Sequence, residues 1–174
     1  MAYTLFTTSF GTCGIAWNEA GFTRFLLPGE TEAQTEKRLA PGSGARLDED
    51  EAPDLVRAAM TRVRRHLDRD FQDFSDLPLD RSLISDFQDA VYRQALLVKA
   101  GFKVSYGQIA KAIGMGPEAS RAVGVALATN PWPLLVPCHR VVSASDKMTG
   151  FSAPGGVRTK TRLLALEGAE LLSE

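Results

Sequence analysis

The sequence holds only two cysteines and two histidines in 174 residues. Cys13, His66, Cys138 and His139 offer no Cys-x-x-Cys or His-x-x-x-His spacing, so no metal site and no other cofactor is expected. Cys13 and Cys138 sit in unlike surroundings and do not read as a disulfide pair; a reducing compartment leaves both as thiols. No apolar run is long enough to span a bilayer, and the N-terminus lacks the basic, apolar and small-residue regions of a signal peptide. The expectation is therefore a cytoplasmic protein that does not engage a membrane. Charge of one sign is also lacking. The net charge is −1, which on its face disfavours a nucleic-acid partner. The distribution is uneven, however. Residues 1–85 carry ten Lys and Arg against fourteen Asp and Glu, and residues 86–174 carry ten against seven. A mildly positive half suits a protein that touches few phosphates, although a bias of +3 is equally compatible with no role. Internal repeats and low-complexity tracts are absent. What remains is ordinary globular composition, 44% hydrophobic and 24% charged, over a length that makes one domain or two small ones.

The pattern predicts an α+β protein: a small N-terminal β-sheet and helix domain over residues 1–82, then a mostly helical C-terminal domain with a helix-turn-helix over 83–174. Residues 3–8 and 14–27 read as strands punctuated by Gly11, Gly14 and Asn18-Glu19-Ala20-Gly21, with Cys13 in the first turn and chemically idle. From Pro53 to Asp70, Leu55, Val56, Ala59, Met60, Val63 and Leu67 recur at helical spacing. The arginines between them, Arg57, Arg62, Arg64 and Arg65, read as a solvated face, and His66 as a surface or half-buried residue. Phe71 to Asp80 reads as extended. In the second half, Ser85 with Gln88 and Ser105 with Gln108 both have capping-box spacing at a helix start. Gly114 to Gly116 then makes a turn, and Pro117 opens a helix reaching about Ala128, a helix-turn-helix pattern. Arg158 to Gly168 is the last helix.

The informative stretch is Asn130 to Val142. The apolar run Leu134 to Val136, read as a strand, is broken by Pro137, which delivers Cys138 beside His139 and Arg140. Nearby positive charge lowers a thiol pKa from its free value of about 8.5, so this context favours a reactive thiol over an inert buried one. Successive side chains of a strand point to opposite faces, so His139 reaches the thiol as a base only through a water or a bend at Pro137. On the helix that begins at Pro117, Ala122, Val123, Ala126 and Leu127 are expected to face the core. Ala119, Ser120, Arg121, Gly124 and Val125 are left nearer the outside. A helix that reads base edges carries several long polar side chains; this one has a single Arg, which disfavours sequence-specific reading. Small residues instead allow close backbone approach to a surface, or simply helix packing.

Four groups of residues in order resemble the O6-alkylguanine-DNA alkyltransferases, the methylated-DNA–protein-cysteine methyltransferases. They are Ser105-Tyr106-Gly107-Gln108-Ile109-Ala110, Arg121-Ala122-Val123-Gly124, Asn130-Pro131 and Pro137-Cys138-His139-Arg140-Val141. Gly155-Gly156 and Leu163-Leu164 to Gly168 extend the likeness, which is dense from about Phe87 to Gly168 and thin before it. The resemblance implies DNA repair by a monomer bound to double-stranded DNA containing O6-alkylguanine, nucleoid-associated when on DNA. The alkyl group passes from O6-alkylguanine, with O4-alkylthymine as a secondary candidate, irreversibly to Cys138, once per molecule. It further implies minor-groove binding through Ala119, Ser120, Arg121 and Gly124, with Arg121 filling the gap left by a flipped nucleotide. Tyr106 packs near the flipped base, Glu167 holds His139, and Asn130 holds the turn. Val141, Phe151 and Ser152 line the base pocket. Read without the resemblance, Arg121 is a surface arginine, Tyr106 a core aromatic and Asn130 a turn residue before Pro.

Two residues more than many members have separate Phe151-Ser152 from Gly155-Gly156, which leaves the pocket wall and the preferred alkyl group open. The rival readings are a Cys-His hydrolase, a helix-turn-helix regulator, and a lesion-binding relative with little transfer activity. The first needs an oxyanion site, the second the long polar side chains that are missing, and the third is characterised by lack of the acceptor cysteine, which Cys138 supplies. A zinc deaminase fails because no second Cys follows Pro137-Cys138 at the required spacing.

Overall fold

The computed structural model describes residues 1–144 and 156–169. The architecture is α+β, and the chain divides into two compact units, Met1–Leu83 and Ile84–Glu174. Among the described residues no helix is long and apolar enough to cross a membrane.

The first unit is built on a four-stranded sheet in the order β3-β2-β1-β4, from β1 (Ala2–Thr8), β2 (Gly11–Asn18), β3 (Gly21–Leu26) and the short β4 (Ala45–Arg46). β1 with β2 and β2 with β3 are antiparallel, and β4 lies parallel to β1. Helices cover both faces, so Cys13 to Trp17 are all buried and the strand shows no clean alternation. On one face, Tyr3, Leu5, Ala16 and Leu26 pack around Leu39 of α1 (Glu32–Leu39). Gly14 is required there, because a Cβ on it would lie 2.6 Å from a Leu39 methyl. On the other face Phe6 meets Phe25 with ring centroids 6.3 Å apart, under α2 (Asp54–Leu67).

Four expectations for this unit change. Cys13 lies inside β2, fully buried, and not in a turn. Leu55 is half exposed; Val56, Ala59, Met60, Val63 and Leu67 form the inward stripe of α2 without it. His66 is wholly buried, because the chain after α2 folds back over it: Gln72 donates its backbone N–H to His66 Nδ1 at 3.0 Å, and Phe71 and Phe74 lie against the ring. The arginines of α2 are not all a solvated face. Arg64 stacks 5.3 Å from the centre of the Phe6 ring, donates to the Thr7 carbonyl and makes a forked bond to Glu49. Arg62 stacks on Phe74 and pairs with Asp76. Their aliphatic stems cover apolar surface while the charged heads tie down loops.

The second unit is mostly helical. α3 (Asp86–Ala95) and α4 (Tyr106–Ala112) both start from complete capping boxes, Ser85 with Gln88 and Ser105 with Gln108, each satisfying two orphan N–H groups. Gly114, at φ 82°, turns the chain out of α4. A 3-10 turn, Pro117–Ala119, leads into α5 (Ser120–Ala128), completing the helix-turn-helix. Val123, Ala126 and Leu127 are buried; Ala122, expected inside, is exposed. Tyr92 of α3 anchors α5 by donating its hydroxyl to the Ala126 carbonyl at 2.6 Å, with its ring edge-on to Trp132. Residues 134–136 are buried as expected but form no strand: Pro131, Pro133 and Pro137 cannot donate to a ladder, and Leu134 takes φ 78°. A 3-10 turn, Cys138–Arg140, comes next, and β6 (Val141–Val142) then pairs in parallel with β5 (Val104–Ser105). α6 (Val157–Leu166) ends at Gly168, whose φ of 76° lets Ala169 N–H return to the Leu164 carbonyl.

The turn between β2 and β3 gives the sharpest stability test. Gly21 has φ 141°, and a Cβ there would stand 2.4 Å from the Pro78 carbonyl oxygen, where the backbone pairs with Phe22. Gly21→Ala is expected to destabilise the protein by about 2 kcal/mol or more. The urea unfolding midpoint measures it; an unchanged midpoint would show that residues 78–80 do not pack as described.

Candidate active site

Because Pro137 stops the apolar run, Cys138 opens a 3-10 turn and does not continue a strand. This overturns the alternation argument for His139: in the turn Cys138, His139 and Arg140 are all buried. Cys138 is 2% exposed. Asn130 organises the approach to it. Its Oδ1 accepts the Trp132 N–H at 2.9 Å, its Nδ2 donates to the Val136 carbonyl at 3.0 Å, and its side chain also hydrogen-bonds the Cys138 sulfur.

His139 and Arg140 converge on one carboxylate. Glu167 Oε1 lies 2.9 Å from His139 Nε2 and also accepts Arg140 Nε at 2.9 Å; Oε2 accepts Arg140 Nη2 at 2.7 Å. Arg140 Nη1 donates to the Val98 carbonyl at 2.7 Å. The His139 and Glu167 side chains are fully buried. A carboxylate removed from water needs partners for its lone pairs, and the Arg fork supplies two in a fixed plane. Glu167 is thereby aimed at the imidazole and holds it by Nε2, leaving Nδ1 as the nitrogen able to exchange a proton elsewhere.

Lys160, which the motifs around Cys138 do not single out, is 1% exposed. Its Nζ donates to the Val141 carbonyl at 2.8 Å and to the Tyr106 hydroxyl at 3.5 Å, and sits 5.7 Å from the Tyr106 ring centre. A signal for it was present. Lys160, Leu163, Leu164 and Glu167 recur at the spacing of one helix face, so a helix with a buried apolar stripe carries a Lys and a Glu at either end of that stripe. Burial pushes the Cys138 thiol up to about 11, against the opposing pull of the Asn130 hydrogen bond, the Lys160 charge and the backbone N–H groups of Cys138 and His139. Desolvation outweighs these, so burial favours the neutral thiol, in the direction opposite to the lowering expected from its basic neighbours. Cys13 is pushed up to about 12 by burial, against the opposing pull of the Thr8 hydroxyl and the Arg64 charge.

The other residues fall into two groups. Tyr106, at the first position of α4, packs its ring towards α5, where a Cβ on Gly124 would lie 4.0 Å from two of its carbons. Val141 is buried in β6. Arg121 is exposed on α5 next to Ala122 and with Val125, 59% exposed, on the same outer side, while Ala119, Ser120 and Gly124 are half-buried. The outer surface of α5 is therefore small and apolar around one long cation. Phe151 and Ser152 lie outside the described residues. Among the described residues no three His, Cys, Asp or Glu side chains are grouped to hold a metal.

Residues 86–169 match the family model described as 6-O-methylguanine DNA methyltransferase, DNA binding domain. A methylated-DNA–protein-cysteine methyltransferase of Mycobacterium bovis is 48% identical over 83 residues, 48% of either chain. The chain thus spans about half the length of that relative. A DNA base-flipping protein of Thermus thermophilus is 40% identical over 121 residues, 67% of this chain and 79% of its own. The crystal structure of Mycobacterium tuberculosis OGT in complex with DNA superposes with a TM-score of 0.75 at 30% identity, covering 96% of this chain and 93% of that one.

The raised thiol pKa predicts a pH profile. The neutral form is favoured in the fold, so reaction of Cys138 with iodoacetamide in the native protein is expected to keep rising with pH toward about 11. A free thiol levels off above about 8.5. Peptide mapping after timed alkylation reads this, and a plateau near 8.5 would mean that the thiol titrates as if solvated.

Proposed function

Because this chain belongs to the 6-O-methylguanine DNA methyltransferase family, we propose that it repairs DNA directly, moving the alkyl group of an O6-alkylguanine onto its own Cys138. The observation that carries this reading is the buried Cys138 set between Asn130 and Lys160 on one side and the His139–Glu167–Arg140 chain on the other. A hydrolase would need donors aimed at a carbonyl oxygen. Displacement at an alkyl carbon needs only a deprotonated sulfur, an aligned alkyl group and a stabilised leaving base.

In this mechanism the Cys138 proton passes to His139, directly or through a water, at Nδ1, and Glu167 stabilises the imidazolium that forms. The sulfur attacks the alkyl carbon; an S–C bond forms, the C–O6 bond breaks, and its electrons go to the base, which leaves as guanine after taking up a proton. The Tyr106 hydroxyl is the donor assigned to the base. The Lys160 ammonium, donating to that oxygen, makes the phenol a stronger donor as charge develops. Lys160 also favours the thiolate over the thiol in the transition state. The product is a thioether with no second nucleophile to clear it, so each molecule acts once.

Double-stranded DNA is the assigned partner, bound by a monomer through its minor groove. That groove is about 6 Å wide and a helix with side chains about 10–12 Å across, so a small-faced α5 fits only with some widening. Ala119, Ser120 and Gly124 permit the approach, and Arg121 takes the place of the flipped nucleotide. Residues 83–174 carry binding and transfer and residues 1–82 support them; Val141, Phe151 and Ser152 belong to the base pocket. The compartment assigned is the cytoplasm, with the nucleoid when DNA is bound. The name of the Thermus relative keeps a second reading in view, base flipping without transfer, and Cys138 separates the two.

Incubation with duplex DNA holding O6-methylguanine is expected to add one methyl group to the peptide with Cys138 and none to that with Cys13. Cys138→Ser should acquire none. Tight lesion binding with an unmodified Cys138 would support flipping without transfer, and release of methanol would support hydrolysis. Arg121→Ala is expected to slow repair of the duplex by about tenfold or more, since extrusion costs a few kcal/mol. Its reaction with the free base O6-benzylguanine should be nearly unchanged. Equal slowing of both would place Arg121 in folding or chemistry.

A further inference from the structure

In the proposed reaction one flipped nucleotide must reach from α5, which displaces it, to the sulfur of Cys138. The spacing of these two parts is set within the protein, and one buried phenol meets both. Tyr92 is wholly buried in α3, and no step of the transfer uses it. Its hydroxyl donates to the Ala126 carbonyl at 2.6 Å, about 7.5 Å along α5 from Arg121. Its ring stands edge-on to Trp132, with centroids 6.1 Å apart. Trp132 in turn donates its N–H to Asn130, whose side chain bonds the Cys138 sulfur. Tyr92 thus joins the helix that carries Arg121 to the loop that leads to Cys138.

The end of α5 depends on such a strut. The last carbonyls of a helix have no partner within it. Thr129 N–H bonds to the Val125 carbonyl at 3.1 Å, but the next amide, Asn130 N–H, goes to the Leu127 carbonyl at 3.2 Å and not to that of Ala126. Ala126 is met by two hydroxyls instead, those of Tyr92 and Thr129, the latter at 3.2 Å. Gln88 of α3 donates to the Thr129 hydroxyl at 3.3 Å, so α3 supports both of them. The Tyr92 bond is the shorter, and a bond shielded from water is strengthened by its surroundings. We propose that the Tyr92 hydroxyl is a positioning group for the transfer reaction: it fixes how far α5 stands from the Cys138 loop, and so where a nucleotide displaced by Arg121 presents its alkyl carbon. The inference rests on the alkyl-transfer reading. Tyr92 acts through the Ala126 carbonyl and not on the reacting atoms. A misplacement of about 1 Å can slow a well-aligned reaction by about 100-fold, so the loss of one buried bond at the end of α5 is readable in the rate.

The test variant is Tyr92→Phe. It keeps the ring against Trp132 and leaves the Thr129 hydroxyl on the Ala126 carbonyl, and near-ultraviolet circular dichroism checks that the core is intact. Alkyl transfer is followed at saturating concentrations from two substrates, duplex DNA holding O6-methylguanine and the free base O6-benzylguanine, which needs no displacement from a duplex. Tyr92→Phe is expected to slow the duplex reaction by about tenfold and the free-base reaction by less than about twofold. In an Arg121→Ala background the same change should slow the duplex reaction by less than about twofold, because the group that it positions is gone. A merely structural hydroxyl would slow both substrates by one factor, and its effect would multiply with that of Arg121→Ala. Either result overturns the proposal, as does an unchanged duplex rate. Wild-type protein that transfers nothing from the duplex would instead overturn the alkyl-transfer reading, and this inference with it.

Discussion

Everything around Cys138 depends on one desolvated carboxylate. Glu167 sits at the end of α6 with no access to water, and it is held there by the forked guanidinium of Arg140 and by His139. Removing the Arg140 guanidinium would strand a buried negative charge, a loss of about 3–5 kcal/mol for a broken buried pair. The same three residues join the 3-10 turn after Pro137 to the last helix, and through the Val98 carbonyl to the chain beyond α3. The imidazole orientation, the position of the thiol and the packing of α6 are therefore a single arrangement. An Arg is needed where a Lys would not serve, since only a planar fork can take both carboxylate oxygens and still reach a carbonyl.

A second constraint is the price of that compactness in the backbone. Leu134 holds φ 78°, a conformation that costs a bulky residue about 1–3 kcal/mol, yet its side chain is fully buried. Three prolines in residues 131–137 leave few N–H groups to pair, and Asn130 substitutes for a ladder by bonding the Trp132 N–H and the Val136 carbonyl. One short amide side chain thus does for this loop what a neighbouring strand does elsewhere, and it ends against the Cys138 sulfur.

Local chemistry made much of this legible in the sequence. The two capping boxes at Ser85 and Ser105, the Gly114 turn and the helical stripe from Val56 to Leu67 follow from hydrogen-bonding and periodicity rules acting over a few residues. The order of motifs around Cys138 carried the family. What was hidden arose from contacts distant in the chain. His66 is buried because residues 71–74 fold over it, and Arg62 and Arg64 leave the solvated face because aromatic rings happen to lie beneath them. Lys160 gave a weaker sign: a lone Lys in a helix stripe counts as a surface residue until the partner carbonyl and phenol are placed beside it. The ionisation of Cys138 was misjudged for the same reason, since flanking basic residues are visible in a sequence and burial is not.

A neutral thiol without access to solvent is also slow to meet peroxide. Oxidation to sulfenic acid begins from the thiolate and depends on exposure. At 2% exposure and with its pKa raised, Cys138 is a poor target in its resting state. If Cys138 is spent in a single transfer, as proposed, the same burial that slows the thiol in isolation keeps it unoxidised until a substrate reaches it.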